Sequence, residues 1–67
     1  MDTSMEGIRE YACSCGAQVI KSGGGECICT APDIKNACKI IAKALMLGYN
    51  AKYERFARKV TISYFTL

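Results

Sequence analysis

The sequence predicts a small α+β domain, an antiparallel β-sheet with one helix packed on one face, in the order ββαββ. Three observations lead there. The chain has 67 residues, and a chain this short buries only ~60% of the surface it exposes when unfolded, so one helix and one sheet use it up. A single segment, residues 33–48, combines a helical period with a start and a stop signal. Runs with a period of two flank it on both sides.

The first element is read at residues 8–15, IREYACSC, as a strand with Tyr11, Cys13 and Cys15 on one face and Arg9 at its outer end. Gly16 ends it. Residues 18–21 and 26–30 are further extended segments joined by Ser-Gly-Gly-Gly, a run that suits a turn and not an element interior. Residues 8–31 therefore read as a hairpin, and residues 1–7 as a flexible N-terminal tail of a single domain spanning 1–67.

The helix opens with Thr30 followed three residues later by Asp33, a capping-box-like start, with Pro32 in the first turn where its missing N–H costs nothing. Gly48 supplies the stop. Ile34, Ala37, Cys38, Ile41, Ala44 and Leu45 fall at helical spacing on the expected inward face, while Lys35, Lys39 and Lys43 fall four apart on the other. After Gly48 alternation returns: Ala51, Tyr53 and Arg55 oppose Lys52, Glu54 and Phe56, Ala-Arg-Lys makes a basic turn, and Val60, Ile62 and Tyr64 share a face. This is the second hairpin. The residues show no internal repeat.

Apolar residues make up 51% and charged residues 22% of the chain, which sets it apart from disordered sequences. The N-terminus has neither the basic nor the apolar region of a secretory signal, and Ile40 to Leu47 is too short for a membrane span, so a cytoplasmic protein without a membrane partner is expected. In that compartment five cysteines are expected as thiols or metal ligands. The net charge of +3 is uneven: residues 35–67 carry seven Lys or Arg against Glu54 alone, so this half is the expected contact surface for an acidic partner.

Two Cys-x-Cys units, Cys13 with Cys15 and Cys27 with Cys29, are the sharpest local feature. Four thiolates could hold one zinc ion, but structural zinc ribbons use Cys-x-x-Cys turns, and residues two apart on a strand converge poorly on one ion. The preferred reading makes these four small hydrophobes buried under the helix, joined by Cys38, with no cofactor; one zinc ion is the alternative. The chain contains no His, its carboxylates fall on unrelated elements and no phosphate-binding glycine loop is present, so a non-enzymatic protein is expected.

Binding is expected at two basic groups. Lys35, Lys39 and Lys43 form a helical stripe, and Arg55, Arg58 and Lys59 cluster at a turn with Tyr53 and Phe56 beside them. Arginine offers a planar fork of donors and stacks on aromatic rings, so the turn is expected to make the specific contacts and the helical lysines to supply long-range attraction. The expected partner is a protein or ribonucleoprotein complex with an acidic surface. A small nucleic-acid-binding module, zinc-stabilised through the two cysteine pairs, is the alternative.

The run ECICTAPDIKNACKIIAKALMLGYNAKY, a strand ending in Thr-Ala, a capped Ala-rich helix and a following strand, resembles several small phage host-takeover proteins. Some anti-CRISPR proteins and phage inhibitors of host RNA polymerase are among them. The resemblance covers residues 26–66 and rests on no specific motif. It implies an inhibitor that occludes a binding surface on a larger complex, in the host cytoplasm if the gene is a phage's.

Overall fold

The computed structural model describes residues 4–64. Six elements follow one another: α1 (Ser4–Ser14), β1 (Gln18–Gly23), β2 (Glu26–Thr30), α2 (Ile34–Met46), β3 (Tyr49–Glu54) and β4 (Lys59–Tyr64). The class is α+β with a four-stranded antiparallel sheet, but there are two helices where the sequence predicts one, and the order ββαββ is corrected to αββαββ. The correction falls on residues 8–15. Met5, Ile8 and Ala12 recur at helical spacing and are buried, whereas Cys13 is exposed and Tyr11 and Cys15 only half-buried, so the alternation of these last three does not define a strand face. Of the expected tail at 1–7, residues 1–3 lie outside the described residues and 4–7 form the first turn of α1, anchored by Met5.

The strands lie in the order β1-β2-β4-β3, every neighbouring pair antiparallel. Each helix covers the hairpin that follows it, α1 over β1 and β2, α2 over β3 and β4. The molecule is thus two αββ units joined along β2 and β4. Their buried positions match: Met5, Ile8 and Ala12 stand at the same mutual spacing as Ala37, Ile40 and Ala44, and Cys27 and Cys29 as Val60 and Ile62. Across the seam Cys27 faces Ile62, Cys29 faces Val60 and Ile28 faces Thr61. This register is unchanged when the units are exchanged, so an approximate two-fold axis passes through the Ile28–Thr61 pair.

Both helices end in the same way. Gly16 and Gly48 follow α1 and α2 with φ of 85° and 90°, the left-handed conformation that glycine adopts without penalty, and their amides donate to the carbonyls of Cys13 and Leu45. At the other end of α2 the N-cap is Asp33, whose carboxylate accepts from the amide of Asn36 at 2.8 Å. Pro32 therefore precedes the cap, and Thr30 closes β2.

The inward face of α2 is rotated from the expected one. Ala37, Ile40 and Ala44 are fully buried, Ile41 is half-buried, and Ile34, Cys38 and Leu45 are exposed. Small side chains let the helix sit close to the sheet, with Ile40 as the single large knob. Cys27, Cys29, Val60 and Ile62, all at 0% exposure, form the floor beneath both helices.

Candidate functional site

The end of the molecule that holds the β3–β4 turn brings exposed basic and apolar groups together. The turn is Arg55–Phe56–Ala57–Arg58, closed by a hydrogen bond from the Arg58 amide to the Arg55 carbonyl at 3.3 Å. All four residues are exposed, and the Phe56 ring stands wholly in solvent. Arg58 takes a φ of 53°, a left-handed conformation uncommon for a residue with a side chain. Its backbone carbonyl accepts from the amide of Ala31 at 2.8 Å, and its guanidinium Nη1 donates to the Pro32 carbonyl at 3.2 Å. Arg58 thereby fastens the turn to the loop that opens α2.

That fastening brings Ile34 and Lys35, in the first turn of α2, to the same end as the hairpin. The Asp33 carboxyl is held below its usual range, first by the Asn36 amide hydrogen bond and further by the nearby charges of Lys35 and Arg58. The surface formed by Ile34, Lys35, Arg55, Phe56 and Arg58 is an exposed ring and an exposed aliphatic side chain among three cations. Ile34, expected to face inward, belongs to it because it lies one stripe away from the buried face of α2. An aromatic anchor bordered by arginines is the composition of binding hot spots.

The remaining expected contact residues are placed elsewhere. Lys39 is exposed farther along α2, and Lys43 is half-buried with its ammonium 5.5 Å from the centre of the Tyr11 ring, where it joins α2 to α1 through a cation–π contact. Lys59 pairs with Glu54 at 3.8 Å on the open face of the sheet. Tyr53 turns its ring toward the core, and its hydroxyl is buried without a hydrogen-bond partner among the described residues, so it does not flank the turn as a surface aromatic.

The cysteines divide in the same way. Cys27 and Cys29 are the buried hydrophobes expected under a helix, and burial pushes both thiols up, Cys29 to about 11 with smaller contributions from Cys27 and Cys13, and Cys27 against a smaller opposing effect of the Arg9 charge. Cys13 stands on the last turn of α1 and Cys15 in the turn just beyond it, neither on a strand, and residues two apart along a helical turn point to different sides. Among the described residues no three His, Cys, Asp or Glu side chains gather in a group that could hold a metal ion. The zinc alternative therefore has no preassembled four-cysteine site.

The open face of the sheet is polar and internally paired. Lys21 meets Glu26 at 3.6 Å, Lys59 meets Glu54, and Ile28 lies between them on the central strand. A shallow concavity of about 540 Å³ over β3 and β4 is lined by Asn50, Lys52 and Thr61 among others, and its charges are opposed in sign. None of the described helices is long and apolar enough to cross a membrane. Comparison with protein-family models, with curated proteins and with solved structures gives no match.

Proposed function

We propose that this chain is a non-enzymatic adaptor or inhibitor that docks on a larger protein assembly through the β3–β4 turn and the first turn of α2. Phe56 is the anchor, entering an apolar pocket on the partner, and Arg55, Arg58 and Lys35 engage an acidic rim around it. The observation that carries this reading is the complete exposure of Phe56 between two arginines at a turn fastened to the body of the protein. An isolated aromatic side chain on a flexible loop would lose more conformational freedom on binding than one held on a pinned turn.

A protein partner is favoured over a single-stranded nucleic acid by the placement of the aromatics. Stacking of successive bases needs several exposed rings along a basic groove. Here Tyr11, Tyr49, Tyr53 and Tyr64 are buried or half-buried, and the open sheet face alternates positive and negative charge.

The test is affinity capture from a nuclease-treated cell lysate with three baits: wild type, Phe56→Ser and Arg55→Glu. The expected result is a protein retained by wild type and lost with both variants, while their circular dichroism and melting stay unchanged. Both substitutions are at exposed positions, so the fold is not at risk. Equal capture by all three baits would remove the docking role from the turn. Retention of nucleic acid alone, weakening steeply with salt, would replace the protein partner by a nucleic acid.

A further inference from the structure

The two αββ units differ most on the outer flanks of their helices and on the strand edges beneath them. On α2 the residues Ile34, Cys38, Ile41 and Leu45 form an apolar stripe next to the buried face. Ile34 is 58% and Leu45 54% exposed, Cys38 is exposed and Ile41 half-buried. The opposite flank of α2 carries Lys43 over Tyr11 and so faces α1, which turns the stripe away from α1 and over β3, the outermost strand on that side. The pairing of β3 with β4 runs through six consecutive residues without a shift, so β3 is a regular edge, and among the described residues no strand lies beyond it. Such an edge offers backbone N–H and C=O groups to a further strand.

The equivalent flank of α1 overhangs β1 and is finished for water. Glu6, Arg9 and Cys13 occupy the positions that match Cys38, Ile41 and Leu45, and Glu6 pairs with Arg9 at 3.8 Å. The pairing of β1 with β2 is interrupted between Val19 and Lys21, and such a bulge twists an edge strand away from further pairing.

We propose that the groove between β3 and the α2 flank binds an extended acidic segment of a partner protein, added to the sheet as a further strand. The backbone edge calls for an extended chain, since a helix laid on the stripe would leave those groups unmet. Charge selects the composition. Lys35 and Lys39 border the stripe on its solvent side, Lys52 projects from the open face of β3, and α2 holds no Asp or Glu. Neither Lys39 nor Lys52 has an ion pair among the described residues, whereas Glu54, the one carboxylate on β3, pairs with Lys59. Alternation then divides the bound segment. Ala51 and Tyr53 point toward the helix and Asn50 and Lys52 away from it. Every second side chain of the added strand lies beside Ala51 and Tyr53 under the stripe, where apolar groups fit, and the others lie beside Lys52, where carboxylates fit. A second copy of this chain would bring the same cations to the groove, which opposes self-pairing. The groove shares Ile34 and Lys35 with the Phe56 surface, but Lys39, Leu45 and Lys52 belong to it alone, and it does not rest on the role of Phe56.

The test is a titration of the labelled full chain, followed by two-dimensional amide NMR, with the capped heptapeptide Glu-Val-Glu-Leu-Glu-Val-Glu and with its twin carrying Lys for every Glu. The acidic peptide is expected to give saturable shifts at residues 50–54 and along α2 and to slow amide exchange on β3, and the lysine peptide to give neither. Lys52→Glu, Lys39→Glu and Leu45→Lys, all at exposed positions, should each weaken binding roughly 5- to 10-fold with circular dichroism unchanged. Phe56→Ser should leave it intact, so failure of the turn and failure of the groove are told apart. No saturable shift, equal binding of both peptides, binding without slowed exchange on β3, binding lost only with Phe56→Ser, or a free chain that closes this edge by self-association in sedimentation would each overturn the proposal.

Discussion

The first αββ unit and the second share a backbone plan while sharing almost no residues. Met5, Ile8 and Ala12 do under α1 what Ala37, Ile40 and Ala44 do under α2, and Cys27 and Cys29 line the same floor as Val60 and Ile62. Their exteriors diverge. The first unit ends in a tight Gly24–Gly25 turn, a bulged edge and a charged helix flank; the second ends in an arginine-bordered Phe56 turn, a regular edge and an apolar flank. Burial at a fixed spacing specifies the unit, so the core constrains positions more than identities. The second unit's exterior, released from that constraint, carries the features that suit binding.

The comparison breaks most visibly if the two units do not share the core equally. Ile8 and Ile40 are matched and both fully buried, so Ile8→Ala and Ile40→Ala should each cost ~2–5 kcal/mol in urea unfolding. In a domain this small that is a large share of the whole. Ile41→Ala, at a half-buried position, should cost clearly less. A larger loss for Ile41 than for Ile40 would restore the face expected from the sequence.

A second contrast is chemical, because cysteines line the first unit's floor where Val60 and Ile62 line the second's. The Cys29 thiol is raised by burial from an ordinary 9.0 to about 11. A group whose pKa is higher folded than unfolded stabilises below the unfolded value and loses that contribution as pH rises through the folded one. Stability should therefore hold below about pH 9 and fall between about 9 and 11, and Cys29→Val should flatten that fall. Melting temperatures followed from pH 7 to 11 decide it; an equal fall in both proteins would assign the alkaline loss to other groups.

The smallest expected effect tests the symmetry of the helix ends. Gly16 and Gly48 have the same left-handed backbone, and an added Cβ finds room at both, its nearest neighbour being Pro32 Cγ at 3.4 Å beside Gly16. Gly16→Ala and Gly48→Ala should each cost roughly 1–2 kcal/mol, from backbone strain alone. Unequal losses in thermal melts would show that one of the two helix ends carries more than its backbone geometry.

The second unit was the more legible of the two in the sequence. Its helix has an N-cap, a long periodic run and a glycine stop, and alternation in β3 and β4 places Val60, Ile62 and Ala51 on the correct face. Two apolar stripes on α2 compete, however, and the bulkier one, Ile34, Cys38, Ile41 and Leu45, turns out to be the more exposed. Bulk signals a core only where there is room for it, and close helix–sheet packing takes Ala37 and Ala44 instead. In the first unit, Ala12, Cys13, Ser14 and Cys15 are small residues that fit a strand or a helix, and only the wider spacing of Met5, Ile8 and Ala12 before Gly16 distinguishes them. A tail at residues 1–7 leaves Met5 out of that spacing. The equivalence of the units is hidden for the same reason, since a strand at residues 8–15 leaves one helix of the pair out.

The basic turn was legible as a cluster, but its composition was not. Tyr53 alternates onto the core face, Lys59 is held by Glu54, and Lys43 is drawn to Tyr11, contacts that depend on which strands and helices become neighbours. Arg55, Phe56, Arg58 and Lys35 remain together at one end, through the Arg58 contacts to Ala31 and Pro32.

Placing two thiols on the central seam also makes the opening of this sheet countable. Cys13 and Cys38 are open to solvent, whereas Cys27 and Cys29 are sealed beneath both helices. A thiol-reactive probe will reach the first pair directly and the second only during excursions that part the helices from β2. The interval between the two waves of modification is a clock for those excursions, wound into the chain with no label added, and a bound partner that steadies the fold would slow its second hand.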